Sequence, residues 1–324
     1  MAQSDTKDII YTLIQKFLAK PPVIIWGSGA TMPYGMPSMS DLNHAIKAQL
    51  GDRFDATANN LEEELGKDKY KGDLPEIRSI IWRAIYIRDK TAEDRFMKDA
   101  KYFDGIHSLI SIFKKSHPQC LNIITTNYDK ILENAMGFHG IHFTDGFPGC
   151  DFSAFDDNLF QNQNIVNLIK VHGSLNWFEI NGEIRRQAGI NSLDSSIRPV
   201  IVAPGKDKYR ETTKLPYREL IQKADLAIKN AGSFLCVGFG FNDEHVTPEI
   251  IKQVNKGTPL VLITKELTSS SLRELQNAER FVFLDKTDDM TRVIFKQDKR
   301  TSRQEESLDN GLWEMPNFIK EIFE

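Results

Sequence analysis

The chain alternates between two hydrophobic rhythms. Short apolar runs bounded by glycine or polar clusters read as strands buried on both faces of a parallel sheet. They lie at Val23–Trp26, at the start of Leu121–Lys130 (LNIITTNYDK), and at Ile165–Val171, Arg198–Ala203, Ser233–Val237, Pro259–Ile263 and Phe281–Leu284. Between them, apolar residues at helical spacing predict helices over Ile9–Leu18, Leu42–Leu50, Lys130–Met136, Tyr217–Asn230, Ile250–Val254 and Leu267–Ala278. The punctuation agrees. Pro21-Pro22 stops the first helix, Ser40 or Asp41 caps the second, and Gly137 closes the one after LNIITTNYDK. This alternation predicts an α/β fold with a Rossmann-like, mostly parallel, three-layer sheet.

Other stretches break the alternation. From Gly51 to Pro118 strand signals vanish and charge rises, while Ile77, Ile80, Ile81, Ala84 and Ile85 keep helical spacing. This segment reads as a helical insertion or lid, or as scaffold whose last helix covers the sheet. Phe138–Asn164 is long, aromatic and polar, which predicts an irregular loop over a substrate or a partner surface. Leu175–Phe178 and Glu179–Glu183 predict a hairpin about Asn181-Gly182. Lys296–Gly311 is polar and is expected to be mobile, whereas the apolar tail Trp313–Phe323 is expected to dock on its own subunit or another. The expected division is a ligand-binding domain from residues 1–50 and 119–285, a helical insertion at 51–118, and a C-terminal extension at 286–324 for assembly or partner contact.

Composition narrows the function classes. The 324 residues, 40% of them hydrophobic, suffice for a full-sized core. With 45 acidic and 41 basic residues the formal charge is -4, which offers no electrostatic footprint for nucleic acid or an anionic membrane. Asp and Lys interrupt the apolar pattern of the first residues, unlike a secretory signal, and no segment reaches the roughly 18 apolar residues of a membrane helix. A cytoplasmic protein is expected. Cys120, Cys150 and Cys236 are widely spaced and form no CxxC pair, which fits thiols in a reducing compartment and argues against a four-thiolate zinc site.

Candidate chemistry gathers at strand ends, because ligands of open α/β sheets sit beyond the carboxyl ends of the strands. Asn127 and His172 each close a predicted strand. A carboxamide both donates and accepts, so Asn127 can orient a water and a hydroxyl, and an imidazole accepts a proton near neutrality. An Asx cap and a satisfied buried histidine are the structural alternatives. Gly27, Ser28 and Gly29 stand where a dinucleotide-binding turn would bring backbone N–H groups to a phosphate, although Met32 breaks the full glycine fingerprint. Gly238, Gly240, Asn242 and Asp243 form a second glycine-rich exit, suited to the other half of a dinucleotide or to turn geometry alone. Asp129 either caps the next helix or holds an active-site partner, the cap being preferred. Tyr34 and Phe147 can sandwich a ring or pack in the core. Asp243, Glu244 and His245 are too close in sequence to converge on a metal, and none is expected.

The blocks IIWGSGATMPYGMPSMSDL, IITTNYDKILENA, LIKVHGSLNW and VGFGFNDEHV, in this order, resemble the sirtuin-like (Sir2-like) NAD-binding family, and most closely its bacterial anti-phage defence branch. The resemblance spans roughly Val23–Ile263. It implies that Asn127 and His172 are catalytic, that Gly27, Ser28 and Gly29 wrap phosphates, and that Gly238 and Gly240 serve the adenosine side with Asn242 and Asp243 nearby. Deacylating sirtuins carry two zinc-binding cysteine pairs, which this sequence lacks, and the 51–118 helical segment occupies a comparable place. The resemblance therefore implies an NAD glycohydrolase (NAD as substrate, no zinc) releasing nicotinamide and ADP-ribose. Its relatives imply a homo-oligomer, possibly large, and a partner such as a ring-shaped ATPase/helicase or an Argonaute-like protein. A regulatory subunit that binds NAD or ADP-ribose without turnover, and a protein deacylase or ADP-ribosyltransferase, are the alternatives.

Overall fold

Every second residue of the predicted strands turns to the same side, and both sides are covered. The computed structural model describes residues 3–57, 61–115, 120–161, 164–194, 196–203 and 215–324. Helix α1 (Gln3–Phe17) leads into β1 (Val23–Trp26). Helices α2 (Met39–Leu50), α3 (Leu61–Leu65), α4 (Leu74–Lys98) and α5 (Asp104–Lys114) follow before β2 (Leu121–Thr125) and α6 (Ile131–Phe138). Then come β3 (Phe143–Thr144), β4 (Asp151–Ala154), β5 (Val166–Lys170), β6 (Gly173–Ile180), β7 (Glu183–Gln187) and β8 (Ile197–Ile201). The chain continues through α7 (Tyr217–Lys229), β9 (Phe234–Val237), α8 (Thr247–Asn255), β10 (Leu260–Ile263), α9 (Ser269–Glu274) and β11 (Phe281–Thr287). It ends with β12 (Met290–Lys296), β13 (Gln304–Leu308) and α10 (Met315–Phe323).

The main sheet has the order β13-β12-β11-β10-β9-β1-β2-β5-β3, parallel from β11 to β3 and antiparallel only at β12 and β13. Ile24 and Trp26 of β1 join the core on the face covered by α1, α2, α4, α5 and α10, while Val23 and Ile25 join the opposite core with residues of α7 and α8. This is a three-layer α/β sheet of Rossmann-like type. The chain runs outward from β1 through β2 to β5, then returns to β9 on the other side of β1. Strand order therefore reverses at β1/β9, the place where such sheets open a crevice.

Several expectations are corrected. The second helix is capped by Ser38, not Ser40 or Asp41: Ser38 Oγ accepts from Asp41 N (3.1 Å) and Asp41 Oδ2 accepts from Ser38 N (2.8 Å). Gly137 lies inside α6, and the chain reverses at Gly140, whose φ is +64°. Phe138–Asn164 is not irregular throughout, since β3 edges the main sheet and β4 joins a second, antiparallel sheet ordered β4-β7-β6-β8; residues 162–163 lie outside the described set. The strand expected at Arg198–Ala203 is β8 of that second sheet, and Pro204-Gly205 lie outside the described residues. Lys296–Gly311 contains β13, and β11 runs on past Asp285 into a hairpin with β12, so residues beyond 285 add strands to the sheet. Asp285 pins that hairpin through paired bonds from Arg292 (2.9 and 2.7 Å). The tail docks on its own chain: Phe318, Ile319 and Ile322 are buried, and Gln15 Nε2 donates to Ile322 O at 2.6 Å. No helix of the described residues is long and apolar enough to cross a membrane.

Candidate active site

Register brings the strand exits level. Trp26 pairs with both Thr125 and Val237, and Thr125 pairs with Lys170, so β9, β1, β2 and β5 end at one edge. Asn127 and His172 each sit two residues beyond that line, on adjacent strands. Both line one cavity of about 450 Å³, with Ser28, Asp129, Asn242 and Asp243.

The β2 exit is fixed by hydrogen bonds that the sequence reading did not foresee. Thr125 Oγ1 donates to Trp26 O (2.7 Å) and accepts from Asn127 N (3.0 Å). Asn127 Nδ2 donates to Gly27 O (3.0 Å) and to Thr31 Oγ1 (3.3 Å). The donor side of the carboxamide is thus spent on holding β1 to β2, and Oδ1 is the atom left for a ligand. Beneath it, buried Lys170 donates to Asp129 O and Glu133 Oε1, both at 2.6 Å, and buried Asp89 accepts from Lys130 N at 2.7 Å. Sequence reasoning missed this buried network; its signal was a lysine at the end of the apolar run NLIKV.

Asp129 stands one residue before the helix N-cap, Lys130, where its Oδ1 accepts from Ile131 N at 3.2 Å, and it also lines the cavity. Burial pushes its carboxyl up to about 7, with Lys170 opposing and Asp89 and Glu133 adding to the shift.

The two glycine-rich exits press against each other, and residues of both reach the cavity. Gly27 N donates to Val237 O, and Gly29 N donates to Gly238 O at 3.0 Å. A Cβ on Gly27 would stand 2.3 Å from Gly238 O, and one on Gly238, whose φ is +57°, 2.1 Å from Ala30 N. Gly27, Gly29 and Gly238 therefore form a seam behind the cavity, while Ser28, Gly240, Asn242 and Asp243 reach it. Tyr34, expected at the ligand, is buried edge-on against Tyr102 and Phe103, with ring centroids 5.4 and 5.3 Å away. Phe147 is likewise packed on Trp177 at 4.9 Å. The opposite cavity wall is apolar, formed by Met36, Pro37, Met39, Leu42, Leu61 and Ile85, the last two from the 51–118 segment that reads as a helical insertion or lid.

His172 is held from both sides. Its carbonyl accepts from Val202 N at 2.9 Å, and Gly173 follows with φ +89° at a point where a Cβ would meet Val200 O at 2.0 Å. Only glycine allows β5 to swing into the second sheet there. His172 Nε2 lies 3.1 Å from Asp243 Oδ2, an ion-pair distance whose direction falls short of hydrogen-bond alignment. Asp243 Oδ1 accepts from His245 N (3.1 Å) and Val246 N (3.0 Å) at the start of α8. Among the described residues no cluster of three His, Cys, Asp or Glu side chains could hold a metal ion.

Solved structures similar to this chain include a Sir2 homologue mutant bound to ADP ribose, at 16% identity over 95% of this chain and 96% of that one, with a TM-score of 0.47. A Sir2 homologue–NAD complex matches at 17% identity over 81% of this chain and 82% of that one, TM-score 0.42. Sir2Tm bound to a propionylated peptide matches at 14% identity over 79% and 86%, TM-score 0.42. The superpositions are loose, and nothing about this chain's chemistry follows from them. Among curated proteins none matches. Residues 121–302 match the family model described as SIR2-like domain, more than half of the chain, and the protein belongs to that family.

Proposed function

We propose that this cavity hydrolyses NAD to nicotinamide and ADP-ribose. The observation that carries the reading is the level exit of β2 and β5, which sets Asn127 and His172 into one polar-floored cavity. Membership of the SIR2-like family supports this choice of substrate. Nicotinamide is a cationic leaving group, so its departure needs no strong acid. The bond from the anomeric carbon to the ring nitrogen breaks, and the electron pair leaves with the ring as neutral nicotinamide. A water supplies the new carbon–oxygen bond and surrenders a proton to His172. Asn127 Oδ1 orients that water or a ribose hydroxyl as acceptor, and the fixed dipoles around the developing ribose cation stabilise it without reorganising.

We place the activity in the cytoplasm and in bacterial anti-phage defence, where NAD depletion stops the infected cell. Such an enzyme must rest inactive, so we propose control by homo-oligomer assembly or by a partner, an ATPase/helicase or an Argonaute-like protein. Incubating purified protein with NAD, alone and with its genomic neighbour's product, and separating products by chromatography tests the chemistry. Nicotinamide and ADP-ribose should appear together, and Asn127→Ala and His172→Ala should each lower the rate by about 10²-fold or more. Unchanged hydrolysis in either variant would refute the assignment. Tight ADP-ribose binding without nicotinamide release, even in the assembled state, would instead favour a regulatory binding subunit.

A further inference from the structure

Asp243 lies at the glycine-rich exit expected to serve the ligand, yet its carboxylate is turned to protein groups. One oxygen takes two backbone N–H groups at the start of α8, and the other faces His172 Nε2 at 3.1 Å. We propose that Asp243 is a positioning residue for His172, holding the imidazole proton on Nε2 so that Nδ1 is the atom that accepts the proton from water. This deepens the hydrolase reading and rests on His172 being the base.

Three observations converge on the pair. His172 is 4% exposed, its Nε2 is enclosed, and among the described residues no other group gives that nitrogen a hydrogen bond. A ring nitrogen in that position needs a partner, and Asp243 Oδ2 at 3.1 Å is within reach; such bonds often tighten only when substrate binds. The turn that carries Asp243 is also over-determined. Phe241 is buried with φ +57°, a conformation unfavourable to a bulky side chain, and its ring packs on Phe239 at 5.0 Å. Ser271 Oγ donates to Gly240 O at 3.0 Å, locking the preceding peptide. A strained turn held from both sides is what a fixed carboxylate direction requires. When water adds to the anomeric carbon and nicotinamide departs with the bonding electrons, the proton reaching Nδ1 makes an imidazolium beside the Asp243 carboxylate. The proton is then released to solvent, closing the balance.

Asp243→Asn is the informative change. The amide keeps an acceptor for His245 N and Val246 N but turns a donor toward Nε2, which favours the proton on Nδ1, the wrong tautomer for this mechanism. The expected result is a fall in kcat of about 10²-fold or more, with KM and the Kd for ADP-ribose within about twofold of wild type. Nitrogen-15 imidazole correlations on histidine-labelled protein, with His172→Gln to assign the signal, should show an Nε2–H tautomer in wild type and Nδ1–H in Asp243→Asn. Asp243→Glu, which keeps the carboxylate, should retain the Nε2–H form. Unchanged kcat, or a raised KM and Kd with kcat intact, would make Asp243 a ligand contact and overturn the proposal. An Nδ1–H tautomer in wild type would overturn it even if Asp243→Asn failed to fold. The tautomer is read without turnover, so a wild type that shows Nε2–H but releases no nicotinamide even when assembled and with its partner present defeats the hydrolase reading while supporting the positioning role.

Discussion

Asp129 shows how one residue can serve the fold and the cavity at once. Its carboxyl is raised from an ordinary 3.8 to about 7 because burial disfavours the charged form more than Lys170 restores it. The unfolded chain ionises this group near 3.8, the folded one near 7. Below the lower value both states hold the proton and nothing is lost. Between the two the unfolded state sheds its proton first, so stability falls as pH rises, until the folded carboxyl also ionises. Asp129→Asn keeps an acceptor for Ile131 N and has no titration. The Tm of Asp129→Asn minus that of wild type should therefore grow from pH 4.5 to pH 7.5 in thermal scans, and a flat difference would show an unshifted carboxyl.

At the scale of elements, the glycines were legible as special, but the seam that Gly27, Gly29 and Gly238 form was not. A sequence shows that a strand ends in glycine; it does not show what stands 2 to 3 Å away. Here it is another strand exit, Gly238 against Gly27 and Gly29, a contact between residues more than two hundred positions apart. Gly238→Ala combines a φ of +57° with backbone contact at 2.1 Å, so β1 and β9 must separate. It should cost roughly 3 kcal/mol or more, read as a lowered denaturant midpoint, because neither strain nor overlap can be relieved by a side chain. Gly240→Ala meets only Asn242 Nδ2, at 3.3 Å, and should keep the wild-type midpoint while altering ligand binding. Equal destabilisation by the two would sink the seam. Asn127 and His172 were readable because each terminates a strand, and the strand predicts its own tip. Tyr34 was not, since nothing local tells an aromatic ring whether Phe103 or a ligand will face it. The second sheet was half-seen as the Asn181-Gly182 hairpin, whose φ values of +52° and +80° match that turn. Its partners β4 and β8 come from elsewhere in the chain, and pairing over that distance leaves no mark in either strand alone.

For the whole molecule, the decisive feature is that the cavity is built from two layers of different origin. The sheet edge supplies the polar floor, and the α2–α4 side supplies an apolar wall of Met39, Leu42, Leu61 and Ile85. Met39 is 45% exposed at that wall, so the apolar lining continues toward the surface. The helical layer borders the cavity on this side, and α4 also reaches the strand exits through Asp89, which accepts from Lys130 N, and Trp82, whose Nε1 donates to Leu175 O. If the cavity carries the proposed hydrolase, that layer is where its control would act, and a neighbouring subunit or partner pressing on it would change access rather than chemistry. Specific activity should then rise with protein concentration, or on adding the partner, through a change in the fraction of competent enzyme. Because KM contains only the competent form, the apparent kcat should carry most of that rise. A dilution series followed by nicotinamide release, with oligomeric state measured at each concentration, tests this directly. Constant specific activity across a range in which the oligomer dissociates would mean that the isolated chain carries its full activity.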